Sequence, residues 1–156
     1  MNVTMIGAGY VGLTTAACLA ELEQNVICAD IDDEKIASLE AGKLPIHEPG
    51  LEPLIRRNRQ RGRLAFSADP VQAVAEAELV FLAVGTPQGE DGNLDLSDLE
   101  AAARHIACAL PPKTVVVVKS TVPAATNRRL REIIAEARGD LDFAVASNPE
   151  FLREGT

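Results

Sequence analysis

Six short apolar segments recur along the chain, and segments with helical periodicity separate them. The apolar segments cover residues 2–6, 25–29, 64–66, 78–84, 114–119 and 141–146. Strands that are apolar at nearly every position are buried on both faces, which is typical of a parallel sheet covered by helices. The pattern predicts an α/β fold, namely a Rossmann-type doubly wound sheet of six parallel strands in the order 3-2-1-4-5-6. The 156 residues show no internal repeat, so we expect one domain over residues 1–156.

Polar residues predict where several of the helices begin. Asp32 can cap the second helix, and Asp69 followed by Pro70 is a typical helix start. Ser97, with Glu100 three residues later, predicts a capping box at the start of a helix that reaches about residue 110.

The overall charge and composition exclude several classes of function. The net charge of −8 argues against nucleic acid as a partner, because phosphate neutralisation supplies most of the affinity for it. A local basic run is interpreted as a solvated helix end; it consists of Arg56, Arg57, Arg59, Arg61 and Arg63. No apolar stretch approaches the about 20 residues that a membrane span needs, and since no cationic segment precedes the first apolar run we expect no secretory signal.

The cysteines indicate the compartment. Cys18, Cys28 and Cys108 are odd in number and far apart, which is typical of a protein in a reducing environment. We therefore expect a cytoplasmic protein in which all three are small buried residues.

A glycine-rich segment follows the first predicted strand and opens the first helix. Gly7, Gly9 and Gly12 match G-x-G-x-x-G, and Asp30 ends the second strand at close to the usual spacing. In this context Gly7 permits the turn, Gly9 lets backbone approach a pyrophosphate, and Gly12 lets the helix pack on the strand. A carboxylate at position 30 would accept hydrogen bonds from the adenosine ribose and repel a 2′-phosphate, which favours NAD over NADP. The alternative is a structural glycine turn in which Asp30 is a helix cap.

Further candidate residues lie near this motif or after the later strands. Lys35 could reach the adenosine end, although an ordinary exposed lysine is the alternative. Residues 84–87, 120–123 and 148–150 each combine a hydroxyl or carboxyl group with a proline. Because ligands bind outside the carboxyl ends of strands in such sheets, the three segments together predict a binding site.

Two patterns that suggest metal binding fail on spacing. Residues 91–95 begin like a calcium loop, but Leu96 and Ala102 stand where glycine and glutamate are needed. His47 and His105 have no second partner at ligand spacing, so we expect no metal site.

Six segments together resemble the UDP-glucose/GDP-mannose dehydrogenase family. They are residues 7–12 with Tyr10-Val11, 47–51 (His-Glu-Pro-Gly-Leu), 84–87 (Val-Gly-Thr-Pro), 91–96 with Asp-Gly and Asp-Leu, 119–123 (Lys-Ser-Thr-Val-Pro) and 148–155 (Asn-Pro-Glu-Phe-Leu-Arg-Glu-Gly). The resemblance implies a two-step oxidation of the C6 alcohol of a nucleotide sugar to a carboxylate, which consumes two NAD. Within the resemblance, the Ser-Thr-Val-Pro and Glu-Gly variants favour UDP-glucose over GDP-mannose as the substrate. GDP-mannose and a UDP-N-acetylhexosamine are the alternative substrates.

The resemblance also implies roles for individual residues. Glu150 would serve acid–base chemistry in the thioester-hydrolysing half of the cycle, and Thr121 would help hold a water and touch the cofactor. The cofactor contacts would be Gly7, Gly9, Tyr10, Val11, Gly12, Asp30, Lys35, Gly85, Thr86, Pro87, Ser120, Thr121 and Glu154. The sugar-nucleotide pocket would be lined by Glu150, Phe151, Leu152, Arg153 and Glu154.

The chain departs from the family pattern in two respects. The family's catalytic cysteine lies in a later segment, so we expect this chain to bind NAD without oxidising sugar nucleotides, as part of a homodimeric or larger parent protein. Ala124-Ala125 replace the usual Val-Gly after Pro123, which bears on the backbone turn near Thr121. Two other classes of protein stay open. The first is a non-catalytic NAD-responsive module, which would have no reason to carry residues 150–154. The second is a hydroxyacid dehydrogenase that shares the Rossmann half, which would lack the loop at residues 48–51.

Overall fold

The computed structural model describes residues 1–89, 92–139 and 142–152. Its elements are β1 (Asn2–Ile6), α1 (Tyr10–Glu21), β2 (Asn25–Ala29), α2 (Asp33–Glu40), α3 (Leu51–Gln60), β3 (Leu64–Ser67), α4 (Pro70–Val74), β4 (Leu79–Leu82), α5 (Ser97–Ala107), β5 (Val115–Val118), α6 (Thr126–Ala137) and β6 (Ala144–Ser147). The strands form one parallel sheet in the order β3-β2-β1-β4-β5-β6. The predicted doubly wound fold is confirmed, although β4 and β5 are shorter than predicted.

Alternation along the strands divides the core between the two faces of the sheet, because successive side chains point to opposite sides. In β1, Val3 and Met5 pack in a cluster with buried residues of α1, α2 and α3. Ile6 packs instead with residues of α4, α5 and α6. Thr4 points to this second side, where its hydroxyl donates to the carbonyl oxygen of Ala73 in α4 at 2.6 Å. The sheet is therefore covered on both faces, as the apolar strands predicted.

The strand register brings the carboxyl ends of the central strands to one level. Ile6 at the end of β1 pairs with Ala29 of β2 and with Leu82 of β4. Leu82 in turn pairs with Val118 of β5. The strand order reverses between β1 and β4. Strands β2 and β3 lie on one side of β1, and strands β4, β5 and β6 lie on its other side. Ligands bind in the crevice at such a reversal, so the residues that follow these strands form the candidate site.

Two of the predicted helix starts are confirmed. The Asp32 carboxylate accepts the backbone N–H of Lys35 at 3.0 Å at the start of α2. The Asp69 carboxylate accepts that of Gln72, also at 3.0 Å, at the start of α4.

The capping box predicted at Ser97 and Glu100 is wrong. Ser97 is the first residue of α5, and its backbone N–H donates to the Asp95 carboxylate at 2.9 Å. Glu100 instead forms an ion pair with Arg129 of α6 at 3.2 Å. Asp95 therefore caps the first turn in place of Ser97, and Glu100 binds a cation of another helix instead of a backbone N–H. The helix ends at residue 107 rather than near residue 110.

The arginine-rich end of α3 is anchored to neighbouring helices rather than simply solvated. Arg57 forms an ion pair with Glu21 at the end of α1, with a separation of 2.8 Å. Arg63 pairs with Glu23 at 3.2 Å, and Arg59 donates to the carbonyl groups of the last two residues of α2. Arg57 is nevertheless exposed, as the solvated-end interpretation predicts, whereas Arg59 and Arg63 are only partly exposed.

The expectation that all three cysteines are buried is wrong for two of them. Cys28 is buried, whereas Cys18 and Cys108 are exposed. Cys18 lies on α1 away from the sheet-facing residues, and Cys108 lies just beyond the end of α5. Burial and the nearby Asp30 charge raise the pKa of Cys28 to about 12, so its thiol is unreactive.

Candidate functional site

The turn from β1 into α1 contains two glycines that no larger residue could replace without a clash. Gly7 has a φ of +103°, and a Cβ there would lie 2.7 Å from the carbonyl oxygen of Ala83. A Cβ on Gly12 would lie 1.8 Å from the carbonyl oxygen of Gly7. Both glycines are therefore required by close backbone approach, one in the turn and the other where α1 packs on it.

Gly9 is different, because a Cβ there would meet no atom within 4 Å. It is the N-cap residue of α1 and faces open cavities on two sides. The first backbone N–H groups of a helix have no acceptor within the helix, and together with the helix dipole they favour an anion at this end. The fold itself does not need a glycine at position 9, but a ligand that approaches the backbone would.

Asp30 follows β2, and its carboxylate is held by three donors. Its Oδ2 accepts the backbone N–H of Ala8 and the ammonium group of Lys35, both at 2.8 Å, and its Oδ1 accepts the N–H of Asp32 at 3.1 Å. Burial raises the pKa of Asp30, but these hydrogen bonds and the Lys35 charge outweigh it and leave the pKa below its ordinary value. The group is ionised at neutral pH. Since a carboxylate offers about four acceptor positions, one remains for a ligand.

Lys35 is drawn into the site by Asp30. Its side chain is only 31 % exposed, and its ammonium group also lies 3.9 Å from the Asp32 carboxylate. Lys35 is therefore a partly buried lysine paired with Asp30 beside the cavity.

A cavity of about 350 Å³, here called the first cavity, opens in front of β1. Its lining includes the sequence-predicted residues Gly7, Gly9, Asp30, Lys35 and Gly85. The structure thus gathers residues that follow three different strands around one space at the reversal of strand order.

One face of α5 also lines the first cavity, and the sequence reasoning missed it. Asp98, Ala101, Ala102 and His105 share this face at spacings of three, four and seven residues. Ile31, which is 76 % exposed, lines the cavity as well. The helical periodicity of α5 was a usable signal, but the long loop before the helix hides which face turns toward the site.

A second cavity of about 300 Å³ adjoins the first, and Gly9, Val84 and Gly85 line both. The further lining residues that the sequence predicted are Tyr10, Val11, Thr86, Ser120, Thr121 and Glu150. These residues come from α1 and from the segments after β4, β5 and β6, so the structure brings together side chains from four parts of the chain. Pro87 is exposed and lines neither cavity.

The last described residues carry Glu150 at the second cavity. Its carboxylate accepts the backbone N–H of Leu152. Phe151 is 90 % exposed and Leu152 is 44 % exposed, and neither lines the two cavities. Arg153 and Glu154, predicted to contact substrate and cofactor, lie outside the described residues.

The Ala124-Ala125 departure falls where α6 begins. Ala125 is the N-cap residue of this helix and has a φ of +75°, in the left-handed region. An L-residue pays about 1–2 kcal/mol for this conformation, and glycine does not. The turn is present despite the alanine, at the cost of local strain.

Two features are absent from the residues that the structure describes. Within residues 1–89, 92–139 and 142–152, no group of three His, Cys, Asp or Glu residues could hold a metal ion. Over the same ranges, no helix combines the length and apolar character required to cross a membrane.

A glycine-bounded helix N-terminus beside an acidic strand end is how a doubly wound sheet holds a dinucleotide. Fold and site therefore define the class as a Rossmann dinucleotide-binding domain. Residues 1–156 match the UDP-glucose/GDP-mannose dehydrogenase family, NAD binding domain, and the chain belongs to this family. The predicted family is thus confirmed, as is NAD as the cofactor of this domain.

Individual relatives agree with this assignment. The chain is 51 % identical to the UDP-glucose 6-dehydrogenase of Rhizobium meliloti (strain 1021), over 99 % of this chain and 36 % of the relative. The structure of a GDP-mannose dehydrogenase from Pseudomonas aeruginosa superposes with a TM-score of 0.93 at 41 % identity, over 100 % of this chain and 37 % of that one. A UDP-glucose dehydrogenase from Pyrobaculum islandicum gives 0.93 at 42 % identity, over 99 % and 37 %. The chain spans about a third of the length of the curated relatives it matches.

Proposed function

We propose that NAD binds across the two cavities, with its pyrophosphate at Gly9 and its adenosine ribose at Asp30. The observation that carries this proposal is the 2.8 Å hydrogen bond from the Ala8 N–H to Asp30. This bond holds an ionised carboxylate against the glycine turn, beside a helix N-terminus with open space before it. One dinucleotide needs a helix N-terminus for its pyrophosphate and, close beside it, a carboxylate for its adenosine ribose.

The same geometry favours NAD over NADP. A 2′-phosphate would bring a second negative group to the Asp30 carboxylate, whose side chain is 11 % exposed. Lys35 offsets part of this repulsion, and we propose that its ammonium group also contacts the adenosine ribose. The remaining proposed cofactor contacts are Tyr10, Val11, Gly85, Thr86, Pro87, Ser120, Thr121 and Glu154.

We propose further that this domain serves a nucleotide-sugar 6-dehydrogenase that converts UDP-glucose to UDP-glucuronate. Bound NAD supplies the hydride acceptor for each of the two oxidations. The chain is 51 % and 49 % identical to two UDP-glucose 6-dehydrogenases and 41 % identical to a GDP-mannose 6-dehydrogenase, which supports UDP-glucose as the substrate. The catalytic cysteine would come from another part of the whole protein, since Cys28 is buried and Cys18 and Cys108 lie outside both cavities.

In this proposal the end of the described chain handles the sugar. Glu150 holds and releases a proton during thioester hydrolysis, and Thr121 holds the attacking water, which fits their shared place at the second cavity. Residues 151–154 line the sugar-nucleotide pocket, and the exposure of Phe151 and Leu152 leaves them open to a ligand or to a substrate domain.

The wider properties of the whole protein are also proposals. We propose a cytoplasmic homodimer or larger assembly that does not bind nucleic acid, in line with the net charge of −8 and the absence of paired cysteines among the described residues. Light scattering of the whole protein tests the assembly, and a monomer would contradict it.

Calorimetric titration of this chain tests the cofactor site. NAD is expected to bind, NADP to bind at least about tenfold more weakly, and Asp30→Ala to weaken NAD by about tenfold. Asp95→Ala is the matched control, because Asp95 also accepts a backbone N–H but lines neither cavity. Unchanged NAD affinity in Asp30→Ala would remove the ribose role.

NADH formation tests the activity. The whole protein should form two NADH per UDP-glucose and prefer it to GDP-mannose and UDP-N-acetylmannosamine, whereas the present chain alone should form none. Preference for another sugar would overturn the substrate assignment. Turnover by this chain alone would overturn the assignment of the cysteine, and no turnover by the whole protein with any sugar would favour an NAD-responsive module.

A further inference from the structure

The side of α1 that is turned away from the sheet carries no charged residue. The buried residues of this helix pack on the sheet. Spacings of four, three and four residues place four other side chains together on the opposite side, here called the outer face of α1: Val11, Thr15, Cys18 and Leu22. Val11 and Thr15 are partly exposed, Cys18 is exposed, and Leu22, directly after the helix, is 68 % exposed. At 1.5 Å per residue the face is about 16 Å long.

This lack of charge distinguishes α1 from the other helices of eight or more residues. Its 12 residues include one charged residue, Glu21, at the last position. Helices α2, α3, α5 and α6 each have at least three, as is usual for a helix with one side in water. A helix without a polar face is typical of one that is buried on all sides. The outer face of α1 therefore has the composition of a covered surface, although Cys18 and Leu22 are exposed to solvent.

The outer face of α1 begins at the second cavity. Val11 lines that cavity together with Thr121 and Glu150, which we propose to act on the sugar. An element that packs on Val11 would therefore also border the place where the sugar is oxidised. The catalytic cysteine must reach the same place from outside the two cavities described above.

We propose that the outer face of α1 is the docking surface for the substrate domain, meaning the part of the whole protein outside residues 1–156. This proposal rests on the proposed function. The curated relatives hold about two thirds of their length outside the segment that matches this chain, so a part of sufficient size is available. Docking there brings the substrate domain to the second cavity, and no charged group on the outer face has to lose its water.

The size of the outer face favours the substrate domain over a second copy of this chain. One helix is about 10 Å wide, so the face covers about 160 Å². A stable complex of separate chains needs about 800 Å² on each partner. Two domains of one polypeptide are already held together by the chain, so a smaller surface suffices for them.

Cys18 lies in the outer face of α1 and reports whether it is covered. Its rate of alkylation by iodoacetamide is compared between this chain and the whole protein, both in the native state. The rate should be at least about tenfold lower in the whole protein, because the reagent then reaches the thiol only when the docked surface opens. Cys108 is exposed outside this face and is the control. A Cys18 that is slowed no more than Cys108 would overturn the proposal.

A charge placed in the outer face should weaken docking. Thr15→Glu in the whole protein should raise the alkylation rate of Cys18 toward its value in this chain, because a buried carboxylate without a partner is costly. Ser38→Glu, at an exposed position of α2, is the matched control and should not change the rate. In this chain alone, Thr15→Glu should shift the melting temperature by less than about 3 °C. An unchanged Cys18 rate in the Thr15→Glu whole protein would contradict the proposal.

Two other results are distinguishable from these. If this chain dimerises by itself in sedimentation experiments and its Cys18 becomes protected as the concentration rises, a second copy is the occupant and the proposal is wrong. If this chain binds no NAD, the proposed function fails. The alkylation of Cys18 requires no ligand, so it tests the docking surface in either case.

Discussion

The carbonyl oxygen of Gly7 occupies the space beside Gly12 so closely that a Cβ on Gly12 would lie 1.8 Å from it. The two ends of the glycine motif are therefore in direct backbone contact, and this contact lets α1 pack closely against the turn. Gly9, between them, has no such neighbour. Within one motif, two glycines are required by close backbone contacts and the third is not.

This difference predicts that an alanine at position 12 mainly lowers stability, whereas an alanine at position 9 mainly lowers the affinity for NAD. Gly12→Ala should lower the free energy of unfolding by about 3 kcal/mol, because backbone must move to relieve the clash. Gly9→Ala should cost less than about 1 kcal/mol, the loss of a favourable N-cap residue, yet weaken NAD binding by at least about tenfold. Urea unfolding and calorimetry measure the two quantities. Full NAD affinity in Gly9→Ala would show that the phosphate lies elsewhere.

The lowered pKa of Asp30 predicts how stability depends on pH. A carboxylate whose pKa is lower in the folded protein contributes stability above its ordinary pKa of 3.8, and this contribution is lost as pH falls through the folded pKa. The wild-type chain should therefore be more stable than Asp30→Asn at pH 7, and the difference should shrink below about pH 3.8. Urea unfolding from pH 7 to acidic pH measures both curves. A difference that does not vary with pH would contradict the ionised pair with Lys35.

The left-handed conformation of Ala125 predicts a stabilising substitution. Ala125→Gly should raise the free energy of unfolding by about 1 kcal/mol, since glycine adopts a φ of +75° without a Cβ clash. Ala124→Gly is the matched control; its φ is not positive, so the added backbone freedom should leave stability unchanged or lower it. Denaturant unfolding compares the two variants. Equal effects would mean that the strain at position 125 is negligible.

Exposure of the cysteines predicts their labelling. Cys18 and Cys108 should react with a thiol reagent in the native chain, whereas Cys28, with a pKa of about 12, should react only after unfolding. Mass spectrometry of the labelled protein counts the modified sites before and after urea. Native labelling of Cys28 would mean that β2 opens readily.

Relations between residues close in sequence could be predicted before the structure was known. Apolar runs of strand length predicted both the parallel sheet and its two covered faces, and Asp32 and Asp69 predicted the starts of α2 and α4. The spacing from the glycine motif to Asp30 predicted which strand end would meet the turn. The strand pattern and the helix starts depend on local backbone geometry, which a short segment specifies by itself. The contact of Asp30 with the turn joins residues 22 apart, and it could be predicted because the fold class places these two strands side by side.

Contacts between distant residues were decided by the tertiary structure. Glu100 pairs with Arg129 instead of completing a capping box, and Ser120 reaches Val84 rather than solvent, because packing of whole elements brings these groups within bonding distance. The face of α5 that carries His105 reached the first cavity for the same reason. The amino-acid sequence by itself determined the class of fold and the chemistry at the glycine turn. The orientation of helices and loops around that turn, which sets the walls of the site, depends on interactions across the sheet that no local pattern encodes.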